Sequence, residues 1–116
     1  MRIYLAGPMR GIAEFNFPAF FSAAQELRSL GHYVFNPASR DNERHGTDIS
    51  AGNHTGSEDQ LISEHGFSLR DALYEDLSFI CLQAEAIALL PGWENSNGAT
   101  AELAVARALK LEVLVL

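Results

Sequence analysis

Two acidic residues, a serine and an arginine carry the chemistry legible in this chain. Ser96-Asn97-Gly98-Ala99-Thr100-Ala101-Glu102 follows a strand-like run, Ala86-Ile87-Ala88-Leu89-Leu90, and opens a helix-like run ending near Lys110. In an α/β protein such a junction sets backbone N–H groups and a positive helix end at the carboxyl edge of a parallel sheet. Ser96 and Gly98 suit a phosphate there. Glu102, a turn further in, suits a carboxylate kept ionised by the helix dipole. A phosphate cradle beside an ionised carboxylate points to chemistry on a nucleotide. Asp76, in Tyr74-Glu75-Asp76-Leu77, is a second acid, of interest if its side chain reaches over the sheet edge toward Glu102. Arg10, in Gly7-Pro8-Met9-Arg10-Gly11, follows the first strand-like run directly and is placed to hold an anion.

Each of these residues has a plainer reading. Glu102 is also a solvated acid at a helix start, Asp76 a surface acid, Arg10 a surface cation, and Ser96-x-Gly98 a capped turn. Trp93, after Pro91-Gly92, either stacks on a base and covers a pocket or simply packs. Tyr4 alternates within the first strand and reads as core, and Cys81 lies on an apolar helix stripe and reads as a core thiol. His45, His54 and His65 share a polar segment with Asp48, Glu58 and Asp59. Their spacing matches no metal-ligand signature, so neither a metal nor a cofactor is expected.

The elements that must position these groups follow from pattern. Residues 2–6 read as a buried strand ended by Gly7-Pro8, and Gly7 to Asn16 as the first loop. Asn16 is placed to cap a helix, with Pro18 tolerated in its first turn. Phe17, Phe20, Phe21, Ala24, Leu27 and Leu30 recur at helical spacing, and Gly31 ends that helix. His32 to Phe35 is strand two, terminated by Asn36-Pro37. A polar segment of about 30 residues, 38–67, reads as a lid, a binding loop or disorder, with a short helix near Gln60 to Glu64. Ser68 caps the next helix, whose stripe is Leu69, Ala72, Leu73, Leu77, Ile80 and Cys81. Strand three is about Glu85 to Leu90. Helix three runs from about Gly98 to Lys110 with Leu103, Ala106 and Leu109 inward, and Leu111 to Leu116 is strand four. Alternating strands and helices joined by right-handed crossovers give one Rossmann- or flavodoxin-like α/β domain over residues 1–116. Its four or five parallel strands carry helices on both faces. Its ligand crevice belongs at the carboxyl ends of strands one and three.

Composition narrows the partners. The net charge is −7, with 8 Lys and Arg in all and none clustered. Polymeric nucleic acid demands a basic face that displaces counterions, so no such partner is expected, whereas a small nucleotide needs only one arginine and a helix end. No apolar run reaches the ~20 residues of a membrane span, and the apolar start reads as a strand rather than a leader. One cysteine allows no internal disulfide and fits a cytoplasmic protein.

Taken together, Tyr4-Leu5-Ala6-Gly7-Pro8-Met9-Arg10-Gly11, Asp76-Leu77 and Ser96-x-Gly98-x-x-x-Glu102-Leu103 resemble the nucleoside 2-deoxyribosyltransferase-like superfamily. Within it the chain looks like a family of small, uncharacterised, often phage-encoded proteins. These share the Ala-Gly-Pro-Met start, the Asn-Phe-Pro-Ala-Phe helix opening and the Leu-Leu-Pro-Gly-Trp-Glu-x-Ser-x-Gly-Ala segment. The resemblance covers both ends of the chain and stops in the segment 38–67. It implies that Glu102 attacks the anomeric carbon of a 2-deoxyribose and that Asp76 positions the nucleophile, the sugar or the base. The transferases of the superfamily carry an aspartate where Ser96 stands. The 2'-deoxynucleoside 5'-monophosphate N-hydrolases carry a serine there, which binds the 5'-phosphate, and an Arg-Gly matched by Arg10-Gly11. The resemblance therefore implies release of a base from a deoxynucleoside monophosphate, by a homodimer. Two alternatives remain at this point: a deoxyribosyltransferase using the same covalent sugar, and a nucleotide-binding protein without turnover.

Overall fold

The computed structural model describes residues 1–45, 56 and 68–116. Among them four strands form one parallel sheet: β1 (Arg2–Ala6), β2 (Tyr33–Phe35), β3 (Ala86–Leu89) and β4 (Glu112–Val115), in the order β2-β1-β3-β4. Four α-helices join them: α1 (Phe17–Ser29), α2 (Pro37–His45), α3 (Leu69–Leu82) and α4 (Asn97–Ala108). This is the strand order of the flavodoxin-like class, and the direction of winding reverses between β1 and β3.

The two-residue period of β1 sorts its side chains onto two cores. Ile3 and Leu5 face α1, where Phe17, Phe20, Ala24 and Leu27 are buried with Val34, Ala86 and Ala88. Tyr4 and Ala6 face α3 and α4, meeting Phe79, Ile80, Ala99, Leu103 and Ala106 with Ile87 and Leu89. β1 and β3 are the inner strands and are buried throughout β3 and from Ile3 onward in β1. The sheet therefore carries helices on both faces, as the alternation of elements predicts.

Several local expectations change. Phe21, Leu30, Leu69 and Leu109 keep helical spacing yet are exposed, because they sit at the margins of stripes that cover only the sheet's width. Cys81, expected in the core, is exposed on α3, where Phe79 and Ile80 take the buried positions instead. Asn16 stands at the start of α1 but does not cap it. Its backbone is left-handed (φ 59°), and its amide donates to the Pro8 carbonyl at 3.0 Å, tying the first loop to the helix. Glu14 and Phe15 are left-handed too, within a short 3-10 turn (Ala13–Asn16) that buries Phe15.

The polar segment begins with structure rather than loop. Pro37 to His45 form α2, with Asn36 as its cap: the Asn36 Oδ1 accepts from the Ala38 N–H at 3.0 Å. The expected helix near Gln60 to Glu64 lies outside the described residues. So do the side chains of His45, His54, His65, Asp48, Glu58 and Asp59.

Gly7 marks a close approach. A Cβ built there would lie 2.6 Å from the Leu90 Cβ, so only glycine lets the loop leave β1 against the end of β3. Gly7→Ala should therefore destabilise the fold by about 1–3 kcal/mol, as overpacking in a rigid site does. Urea denaturation with an unchanged m-value checks this.

Candidate active site

A cavity of about 220 Å³ opens at the carboxyl ends of β1 and β3, where the winding reverses. It lies below the usual range for ligand sites, roughly 300–1,000 Å³. Gly7 to Arg10 leave β1 along its rim, and Asn95 to Ala99 enter it from the junction before α4. Leu69, Ala72, Leu73 and Asp76 reach it from α3, Pro37 and Asp41 from α2, and Phe15, Phe17 and Phe20 from the first loop and α1. Tyr4 and Glu102 complete it.

The local sequence explains these placements. Ser96 is the N-cap of α4: its Oγ accepts from the Ala99 N–H at 3.1 Å, which fixes where the helix starts. Glu102 then falls on the face of α4 that packs on the sheet, beside the buried Ala99, Leu103 and Ala106. Ser68 does the same for α3 through the Asp71 N–H at 3.3 Å, and Asp76 falls on that helix's buried face. Gly98 leaves space at the mouth, since a Cβ there would meet only the Ser96 Oγ at 3.9 Å.

Glu102 is only 6% exposed, and Asp76 9%. The Tyr4 hydroxyl donates to the Glu102 Oε2 at 2.6 Å, a short bond that strengthens when the carboxyl ionises. The ring of Tyr4 is held by stacking on Phe35, with centroids 5.5 Å apart, and Phe35 stacks in turn on Phe79 at 4.7 Å. Tyr4 is thus both core, as its alternation predicts, and part of the site, which alternation alone does not reveal.

Burial pushes the Glu102 carboxyl up to about 8, and the negative charge of Asp76 adds to the effect. The bond from Tyr4 works the other way. A hydrogen bond with Asp76 and the charge of Asp41 raise the value further. This differs from the expectation of a carboxylate held ionised by the helix dipole. Glu102 is the sixth residue after the cap, beyond the first turn in which the dipole acts, so desolvation and the second acid prevail. The Tyr4 hydroxyl is itself raised well above its ordinary value, by burial first and by the two acids next.

The structure brings together Gly7, Pro8, Met9, Arg10, Asp76, Ser96, Gly98 and Glu102 around one cavity. Gly11 and Trp93 do not line it. Gly11 donates its N–H to the Gly56 carbonyl at 3.2 Å, and Trp93 packs, half-buried, against the α3/α4 core. Asp41 lies in the cavity wall, 6% exposed, and was not singled out by sequence because the stretch 37–45 has no apolar stripe. Asn36-Pro37, a cap residue followed by a helix-opening proline, was the available signal. Among the described residues no group of three or more His, Cys, Asp or Glu is arranged to hold a metal ion. None of their helices is long and apolar enough to cross a membrane.

Residues 1–115 match the family model described as Domain of unknown function (DUF4406). The chain belongs to this family. No curated protein matches it.

The raised carboxyl makes stability depend on pH. Folding favours the protonated form of Glu102, so its contribution is complete below the unfolded value near 4.5 and is lost as pH rises through about 8. Unfolding free energy should fall between these limits by up to about 1 kcal/mol per pH unit. Glu102→Gln, which cannot ionise, should flatten that slope. Tyr4→Phe removes the one bond that favours the ionised form, so it should extend the slope to higher pH. Urea titrations from pH 4.5 to 9 measure all three.

Proposed function

We propose that this protein cleaves the N-glycosidic bond of a 2'-deoxynucleoside 5'-monophosphate, releasing free base and deoxyribose 5-phosphate. The observation that carries the reading is the buried Tyr4–Glu102–Asp76 cluster at the floor of a cavity rimmed by Ser96, Gly98 and Arg10. The resemblance to the nucleoside 2-deoxyribosyltransferase-like superfamily supports it.

Glu102, once ionised, attacks C1' of the sugar through a carboxylate oxygen. The C1'–N bond breaks with its electron pair leaving on the base, by way of an oxocarbenium-like sugar. The leaving base needs a proton, and the acid pair holds one at neutral pH, because Glu102 titrates near 8. Transfer of that proton through Asp76 to the base frees the nucleophile and neutralises the leaving group together. Water then cleaves the sugar ester, with Asp76 taking its proton. Tyr4, bonded to Oε2, fixes the carboxyl and positions its other oxygen for attack. The Ser96 hydroxyl, the N–H groups opening α4 and the Arg10 guanidinium would hold the 5'-phosphate away from the carboxylates.

One observation also favours a second reading, a nucleotide-binding protein without turnover. A carboxylate beside an anionic ligand argues against a pure binder, and protonation of Glu102 near neutrality weakens that objection. A chromatographic assay separates the two. It takes the four deoxynucleoside monophosphates, their 5-hydroxymethyl and ribo counterparts, and the free deoxynucleosides. The hydrolase reading expects base from deoxy-monophosphates alone, and loss of at least about a thousandfold in kcat for Glu102→Ala. Base exchange on adding a second base would instead mark a deoxyribosyltransferase. No release from any member, with thermal stabilisation by one nucleotide, would leave the binding protein. Should Glu102→Ala release base at the native rate, the nucleophile is wrongly assigned.

Because the leaving base takes its proton from the acid pair, kcat/KM should fall as pH rises through the raised value of Glu102, about 8. Asp76→Asn removes the neighbouring charge and should move that fall to lower pH while lowering kcat. Arg10→Ala should chiefly raise KM for monophosphates and leave free deoxynucleosides unaffected. The resemblance also supports a homodimer, which light scattering on the purified protein would test.

A further inference from the structure

The cavity has two walls of different chemistry, and the strand order assigns them. β3 and the start of α4 bring Ser96 and Gly98 to one side. β2 and the start of α2 lie on the other side of β1 and bring Pro37 and Asp41. Tyr4, at the inner strand β1, and Glu102 lie between. If the phosphate occupies the α4 side and the sugar lies over Glu102, the base extends toward the α2 side.

Among the described lining residues Pro37 and Asp41 come from α2, the neighbouring α3 adds Leu69, Ala72 and Leu73, and Asp41 is 6% exposed. The helix that carries it is fixed at its start by the Asn36 cap. It is also held to α3 through Arg40, whose Nη2 lies 3.3 Å from the Glu75 Oε2. A carboxylate held in such a wall costs free energy that only hydrogen-bond donors offset. Its two oxygens offer about four lone-pair sites, more than a single donor fills. Asp41 acts on Glu102 through its charge alone, whereas Asp76 also hydrogen-bonds it, so the place of Asp41 in the wall suits contact with a ligand.

We infer that Asp41 selects the base: it accepts from the exocyclic amino group of a cytosine-type base and turns away thymine and uracil. An ionised carboxylate accepts only. An amino group offers it N–H donors, as in aspartate contacts to cytosine N4. A uracil-type base presents a carbonyl oxygen at that position, and two acceptors facing each other repel. This selection rests on the reading of the cavity as a deoxynucleotide site.

The test uses dCMP and dUMP, which differ only in this amino group and the adjoining ring proton. Their binding is measured calorimetrically on the full chain carrying Glu102→Gln, so that no substrate is consumed. Their turnover is measured on the native protein. The expected result is binding of dCMP about ten- to a hundredfold tighter than dUMP, with the ratio falling toward one in Glu102→Gln/Asp41→Asn. Because the readout is a ratio within one protein, a general loss of stability does not mimic it. Asp41→Ser serves as the second variant if the asparagine form does not fold. Equal binding of the two nucleotides, or a preference that survives both substitutions, overturns the inference. Turnover of both at equal rates would overturn it while leaving the hydrolase reading intact. Amino-dependent binding without release of any base would support Asp41 as the selector and overturn the hydrolase. Failure of both nucleotides to bind would overturn both.

Discussion

A carboxyl group taken out of water must be neutralised or fully hydrogen-bonded, and Glu102 sets that demand for the rest of this structure. The group lies between the sheet and α4, and the donor that answers it is the Tyr4 hydroxyl at 2.6 Å. That donor comes from the inner strand, on the only face of β1 that meets α4. Phe35 and Phe79 hold the ring by stacking, so β2 and α3 both contribute to where one oxygen points. Moving any of these elements would leave a buried acid without its partner. The same contacts that make the second hydrophobic core therefore also fix the reactive carboxyl.

Asp76 turns this from a structural bond into a chemical device. Two acids buried side by side cannot both ionise cheaply, so burial and the charge of Asp76 keep a proton on Glu102 up to about pH 8. A site that keeps one proton between two carboxyls holds a nucleophile and an acid in the same few ångströms. In the proposed reaction the ligand would decide which role each oxygen plays, since the group that approaches C1' must be the one that lost the proton. The helix dipole has little part in this. It is spent at the start of α4, on Ser96, Gly98 and whatever anion meets the first-turn N–H groups.

The two-layered fold was readable because its signals are local: a buried run ended by Gly7-Pro8, a helix stripe ended by Gly31, and alternation of strand and helix. The cavity lining was readable where it sits on junctions, as at Arg10, Ser96 and Glu102, and at Asp76 as an acid that could reach over the sheet edge. Pattern alone could not say that Tyr4 and Glu102 meet, because they are far apart in sequence and share no periodicity. Nor could it give the charge state, which depends on desolvation. Helix α2 was missed for a related reason. Arg40, Asp41, Asn42 and Glu43 carry no apolar stripe, so periodicity is silent, and Asn36-Pro37 was read as the end of a strand when it is also the start of a helix. Cys81 and Leu109 failed in the opposite sense: they keep the spacing of a stripe but lie beyond what the sheet covers.

The charge pattern of the cavity has one further consequence for how an anion could enter. Among the described lining residues Arg10 is the cation, against Asp41, Asp76 and Glu102. Were all three acids ionised, a phosphate would meet a strongly negative site with a single compensating charge. Keeping Glu102 protonated removes part of that repulsion before the ligand arrives. In the proposed reaction, with the phosphate at the α4 side, an uncharged sugar over Glu102 would exclude more water, which alone would hold the proton on more firmly. Ionisation at that stage would then have to be driven by the ligand itself, through a base that accepts the proton as its bond to C1' weakens. On that reading binding and proton transfer are ordered by electrostatics: the neutral acid would admit the anion, and only a ligand with a basic leaving group would convert that acid into a nucleophile.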